Sequence, residues 1–289
     1  MRFTVSTSAL QKQLQLVSGA LGSNNSLPIV EGFLFEIEEG SLKISATDLE
    51  TSMSTQIDVM SDQNGAIAVP SKILLDIIKN LPEQPITFNI DLDSFGITLL
   101  SQKGKYKLTG EDADEFPAPP EIDEPRSITI SSGVLGNAVQ NTLFAVSTDE
   151  LRPSMTGVYF KADDEGITFV ATDAYKLVRY QITDDTTDEP VNFILPRKAL
   201  SLIKNALPST ETRINIAYDA GNAFFSFNDV QLACRLIESR YPNYNAVIPS
   251  NNSYTAVLNR VDFLNALKRV AIFANKTTYQ VNLTITADE

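Results

Sequence analysis

The chain has 289 residues, 43% of them apolar, which is too long for one ordinary core and enough for two or three domains. It has no histidine and a single cysteine, Cys234, so the usual general base, a structural zinc cage and an internal disulfide are excluded. The formal charge is −13, which taken alone argues against a nucleic-acid ligand, because phosphate contact needs Lys and Arg.

No apolar run approaches the roughly 18 residues of a membrane span, and MRFTVSTSAL alternates directly into folded structure rather than forming a leader. With the lone cysteine, this predicts a cytoplasmic protein without membrane contact. The first predicted elements are a strand over Arg2–Ser6 and an amphipathic helix over 8–20, whose Leu10, Leu14 and Val17 share one face. Alternating runs at 33–37 and 42–45 read as antiparallel strands. A second helix over 70–81 opens on Pro70 at its first position and buries Leu74, Ile77, Ile78 and Leu81. Strands at 87–90, 96–100 and 106–110 follow, and a charged, Pro-containing linker, EIDEPR, covers 121–126.

Beyond the linker the pattern begins again. PIVEGFLFEIEEGSLKISATDLETSMSTQI (28–57) matches PSMTGVYFKADDEGITFVATDAYKLVRYQI (153–182), with Gly32 on Gly157 and Asp48 on Asp173 at an offset of 125. PSKILLDIIKNLP (70–82) matches PRKALSLIKNALP (196–208) at 126, and Phe116-Pro117 matches Tyr241-Pro242 at 125. Four anchors in one order at one spacing indicate a duplicated domain. NRVDFLNALKRVAIFAN (259–275) then takes the place of the first helix of each copy, and TTYQVNLTITADE starts the next strand. A complete third copy needs about 85 further residues, so the sequence reads as truncated within it. The predicted domains are 1–121, 126–249 and the start of a third at 250–289. The fold class is α+β: tandem domains, each with two helices on antiparallel sheet.

Charge segregates by element. The five predicted helices (8–20, 70–81, 133–147, 196–206 and 260–275) carry nine basic and two acidic side chains, a net of +7, which leaves −20 for everything else. A shared basic helical face suits sequence-independent contact with phosphates. Solvated faces rich in good helix formers give the same pattern without any ligand.

LPIVEGFLFE (27–36), VATDAYKLV (170–178), ESRYPNYNAVIP (238–249) and FLNALKRVAIFAN (263–275) stand in the order found in one family. Across its whole length the chain resembles the beta sliding clamp of bacterial DNA polymerase III. The resemblance implies three such domains per chain, closed head to tail by a second chain into a six-domain ring around duplex DNA. It implies no active site, no cofactor and no metal. The expected partners are DNA, the polymerase catalytic subunit, a clamp loader and a second copy of the chain. It also implies a cleft for short apolar peptides at Met155, Thr172, Ala174, Tyr175, Lys176, Leu177, Pro242, Ala246 and Val247. Where the family often has Gly-His-Arg, this chain has Ala174-Tyr175-Lys176. The matching ring-interface positions are Tyr106 and Leu108 against Ile272 and Phe273. The DNA-facing positions are Lys12, Asn24, Lys72, Lys79, Arg152, Arg197, Lys198, Lys204 and Lys268. The truncated chain is expected not to close a stable ring.

Two rival readings stand beside this. Asp48 and Asp173 are candidates for a catalytic carboxylate pair, but they recur one domain apart, which fits a turn-forming role better. A protein-only scaffold that never meets DNA agrees with the net charge.

Overall fold

The computed structural model describes residues 1–22, 27–61, 63–122, 125–184, 186–187, 189–276 and 279–285. The described chain divides into two compact units, Met1–Pro242 and Asn243–Glu289.

The first unit contains both repeats. Repeat one runs β1 (Arg2–Ser6), α1 (Thr7–Ser18), β2 (Gly32–Glu38), β3 (Ser41–Thr47), β4 (Thr51–Asp58), β5 (Met60–Ser61), β6 (Gly65–Pro70), α2 (Ser71–Lys79), β7 (Pro85–Asp91), β8 (Gly96–Leu100) and β9 (Lys105–Thr109). Repeat two runs β10 (Arg126–Ser131), α3 (Ser132–Thr142), β11 (Gly157–Asp163), β12 (Gly166–Thr172), β13 (Leu177–Ile182), β14 (Val191–Pro196), α4 (Arg197–Ala206), β15 (Arg213–Tyr218), β16 (Asn222–Phe227) and β17 (Val230–Arg235). The correspondence extends to local detail. Ser6 caps α1 by accepting from the Ala9 N–H, and Ser131 caps α3 by accepting from the Val134 N–H, both at 3.2 Å.

Each repeat forms two antiparallel sheets. Repeat one has β5-β1-β7-β8-β9 and β6-β2-β3-β4; repeat two has β10-β15-β16-β17 and β13-β12-β11-β14. The repeats are joined edge to edge. Strand β17 pairs antiparallel with β4, placing Gln231, Leu232, Ala233 and Cys234 opposite Ser54, Met53, Ser52 and Thr51. An eight-stranded sheet, β10-β15-β16-β17-β4-β3-β2-β6, therefore crosses the boundary between the copies. Among the described strands, β9 and β13 are two of the six sheet edges, with β5, β6, β10 and β14.

The helices form a layer in the order α2, α1, α4, α3, with α1 meeting α4 where the repeats join. Helix α1 buries Leu10, Leu14 and Val17, α2 buries Leu74 and Ile78, and α4 buries Leu200 and Ile203. Phe3, Phe35 and Phe88 cluster beneath the repeat-one helices, and Phe160, Phe169 and Phe193 do so in repeat two.

Several expectations shift. Pro70 does not open α2 but ends β6 and serves as the helix N-cap, because it pairs with Gly32 across the ladder. Ile77 and Leu81 are only half-buried. Helix α3 stops at Thr142 and tightens into a 3-10 turn, Leu143–Ala145; the Thr142 hydroxyl bonds back to the Ala138 carbonyl at 2.7 Å.

The second unit holds a 3-10 turn, Tyr244–Val247, and helix α5, Arg260–Ala271, capped by the Asn259 side chain. Residues 279–285, expected to start a strand, form none: a strand exists only in a hydrogen-bonded ladder, and no described strand lies beside them. Among the described residues no helix is long and apolar enough to cross a membrane.

Candidate functional site

The basic helical positions differ once they are placed in the fold. Lys12, Lys72, Lys79, Arg197 and Lys204 are exposed on the helices of the first unit. Each stands opposite its helix's buried stripe, so the ammonium or guanidinium is free to reach solvent or a phosphate. Lys198 does not share that freedom. Its amine donates to Asp48 Oδ2 at 2.6 Å and lies 3.4 Å from the Leu21 carbonyl, which ties α4 of repeat two to the β3–β4 turn of repeat one. Arg152 is exposed and bonded to Asp149, its Nε and Nη2 each 2.8 Å from Oδ2, and this contact holds the Asp149 carboxyl below its usual range. Asn24 lies outside the described residues. Lys268 is exposed in the last turn of α5, in the second unit.

The candidate peptide-binding residues centre on the β12–β13 hairpin. Thr172 ends β12 and is buried, and Leu177 opens β13 directly opposite it, half-buried. The turn between them is built by Asp173. Its Oδ1 accepts from the Tyr175 N–H at 3.0 Å and the Lys176 N–H at 2.9 Å, while the Lys176 amine bonds Oδ2. Burial works to raise this carboxyl, but the bonds from Lys176 and Tyr175 outweigh it and hold it at about 2. Ala174 sits at the apex with φ +74°, and Tyr175 is 94% exposed. Asp48 does the same work in repeat one, accepting from Glu50 at 3.0 Å and Thr51 at 2.7 Å beside Leu49 at φ +80°. The two aspartates are turn builders, and neither is placed for acid–base chemistry with the other.

Met155 closes the 3-10 turn Pro153–Met155 at the head of β11 and is half-buried. Pro242 follows Tyr241, whose ring stacks on Tyr159 at 4.8 Å and whose hydroxyl donates to the Val170 carbonyl at 3.2 Å. The same repeat thus carries Met155, Thr172, Leu177 and Pro242 together with the hairpin tip. Ala246 and Val247 are exposed residues of the second unit, as are Ile272 and Phe273, at 74% and 90% exposure. Tyr106 and Leu108 lie half-buried on β9, an edge strand, with Lys105, Lys107 and Thr109 alternating between them. Sequence reasoning missed the Lys198–Asp48 contact, because an inter-repeat ion pair has no local signature; the recurrence of Asp48 at Asp173 pointed to the turn and not to the lysine.

Comparison with known proteins agrees with this architecture. The family model for the DNA polymerase III beta subunit, N-terminal domain, matches residues 1–120, and that for its central domain matches residues 129–243. The chain is 29% identical over 291 residues to the beta sliding clamp of Synechococcus elongatus, covering 99% of this chain and 77% of that one. It is 28% identical over 286 residues to the beta sliding clamp of Bacillus subtilis, covering 96% and 75%. The crystal structure of the DNA polymerase sliding clamp from Bacillus subtilis superposes with a TM-score of 0.90 at 27% identity, over 96% of this chain and 75% of that one. That of the Thermotoga maritima beta subunit gives 0.82 at 26%, over 94% and 74%. With two consecutive domain models matched in order, and the two-sheet, two-helix repeat found in both copies, the chain belongs to the DNA polymerase III beta subunit family.

Proposed function

We propose that this protein is a non-catalytic processivity factor that encircles duplex DNA and tethers a replicative polymerase and other replication proteins to it. The observation that carries the reading is the segregation of charge. A chain of net charge −13 presents Lys12, Lys72, Lys79, Arg197 and Lys204 on one continuous helical layer, where flexible cations meet phosphates of any sequence. Partners dock through short apolar segments at the β12–β13 hairpin, with Leu177, Met155 and Pro242 as the apolar contacts; methionine adapts to varied anchors. The working assembly is a ring of two copies with three domains each, bounded in this chain at 1–121, 126–249 and 250 onward. It is placed on DNA by a clamp loader in the cytoplasm. Edges such as β9, with Tyr106 and Leu108, join neighbouring domains.

The test is topological. The protein is loaded by a clamp loader onto a nicked circular plasmid, which is then linearised. Retention on the circle and loss on cutting is the expected result. Equal retention on both forms means contact binding without a ring. Absence from both, with a control clamp loaded in parallel, points to a scaffold that never meets DNA. Two finer outcomes follow. Replacing Lys79 and Lys204 by Ala lowers the slope of log affinity against log salt by roughly 1–2 for linear duplex. Replacing Leu177 by Ala weakens a bound apolar partner peptide by about 1–2 kcal/mol, roughly tenfold or more in Kd by fluorescence anisotropy.

A further inference from the structure

A cavity of about 300 Å³ opens on the face of the seam sheet away from the helices, at the lower end of the roughly 300–1,000 Å³ typical of ligand sites. Its cause is a run of small side chains. Two cross-strand rows traverse the seam there, Leu34–Ser45–Ser54–Gln231 and Thr47–Ser52–Ala233–Phe224. Serine and alanine at the four inner positions leave a trough between the larger Leu34 and Phe224. The chain after β9 forms its wall, with Phe116, Pro117 and Pro119 facing in. That wall is fixed: Ala68 and Glu111 exchange backbone hydrogen bonds, and Phe116 is buried against Ile29, Val30 and Ala68. An apolar slot that needs no rearrangement binds with little ordering cost.

The duplication says what such a slot is for. At the 125-residue offset Thr47, Ser52 and Pro117 correspond to Thr172, Leu177 and Pro242, the hairpin residues read above as a peptide cleft. We infer that the trough at the repeat-one/repeat-two seam is a second peptide-docking site, for a short segment of a partner protein carrying an aliphatic or aromatic anchor flanked by Lys or Arg. The inference rests on the reading of the β12–β13 hairpin as a peptide site. The anchor fills the slot between Leu34 and Phe224. Among the described residues the Ser45 and Ser54 hydroxyls make no hydrogen bond within the chain, so both are available to the backbone of a guest.

The basic flank follows from charge. Glu36 and Lys43 neutralise one another at 3.2 Å at one end of the trough, while Asp114 lines the wall and Glu115 adjoins it. In repeat two the positions of Ser54 and Glu115 hold Arg179 and Arg240, while Lys161, at the position of Glu36, is paired with Asp163. The two sites therefore differ in sign, which separates their clients.

The probes are two fluorescein-labelled octapeptides with a central Leu-Phe pair, one flanked by lysines and one by glutamates, titrated against the whole chain. The lysine-flanked probe is expected to bind saturably. Ser54→Phe, which fills the trough, and Gln231→Trp, an exposed rim substitution that leaves the core intact, each weaken it at least tenfold, and Glu115→Lys weakens it about threefold. Leu177→Ala leaves it within twofold and weakens the glutamate-flanked probe instead. Loss of the lysine-flanked probe on Leu177→Ala alone, insensitivity to every variant, or absence of saturable binding overturns the seam site. Loss on Ser54→Phe together with a glutamate-flanked probe indifferent to Leu177→Ala keeps the seam site and removes the hairpin cleft.

Discussion

Lys198 and Lys72 occupy equivalent positions at the start of α4 and α2, yet only Lys198 is fastened to a carboxylate, the Asp48 of the other repeat. Because the Lys198 side chain is 38% exposed, the pair is weak. A double-mutant cycle with Lys198→Ala and Asp48→Asn is expected to give a coupling of about 0.5 kcal/mol in urea unfolding. Asp48→Asn alone is expected to cost about the same, since the amide oxygen keeps the turn's backbone bonds and the bond from Lys198 is what is lost. At Asp173 the sign of the pH effect is set by its low folded-state pKa. The turn's stabilisation is whole above the ordinary value of 3.8 and disappears as pH falls through about 2. Carboxyl NMR should follow that midpoint, with the amide shifts of Tyr175 and Lys176 moving with it. A midpoint near 3.8 would show that the hydrogen bonds to Asp173 are not maintained in solution.

At the scale of elements the duplication was legible, because helix stripes, strand alternation and the Gly, Asp and Pro anchors all recur at an offset of 125 or 126. The seam was not. A strand that pairs with a distant repeat has the same alternation as one that stays an edge; β4 and β13 read alike, and only the three-dimensional register shows that β17 lies against β4. The hairpin residues proposed as a peptide site lie in contiguous sequence motifs, whereas the trough depends on small side chains from strands of two repeats. The shared glycine is explained by sterics. A Cβ on Gly157 would stand 2.4 Å from the Leu195 carbonyl oxygen, and one on Gly32 would stand 3.0 Å from that of Val69. Gly157→Ala is expected to cost about 2–3 kcal/mol by chemical denaturation and Gly32→Ala clearly less. Cys234 reports on the seam itself, since it is fully buried opposite Thr51 and burial pushes its thiol up to about 12. It should resist thiol reagents at pH 8 in the native protein and react at once in denaturant, and any variant that opens β4 from β17 should expose it.

Across the whole molecule, an excess of acid and a basic helical layer coexist because strands and loops hold most of the carboxylates, while the helices carry few acids and a net positive charge. Net charge averages over this segregation, and only the distribution by element shows where an anion could be met. The seam also has a consequence for the order in which the chain is made. Residues that meet across β4 and β17 are separated by about 180 positions, which a ribosome adding roughly 5–20 residues per second spans in about 10–35 seconds. For the later part of that interval, once the chain to about residue 121 has been made, repeat one is complete except for its partner strand, and β4 waits as an open edge on a nascent chain. Its sequence, TSMSTQID, places hydroxyls and an amide between its few apolar residues and ends on a carboxylate, a composition poorly suited to pairing with a neighbouring chain on the same messenger.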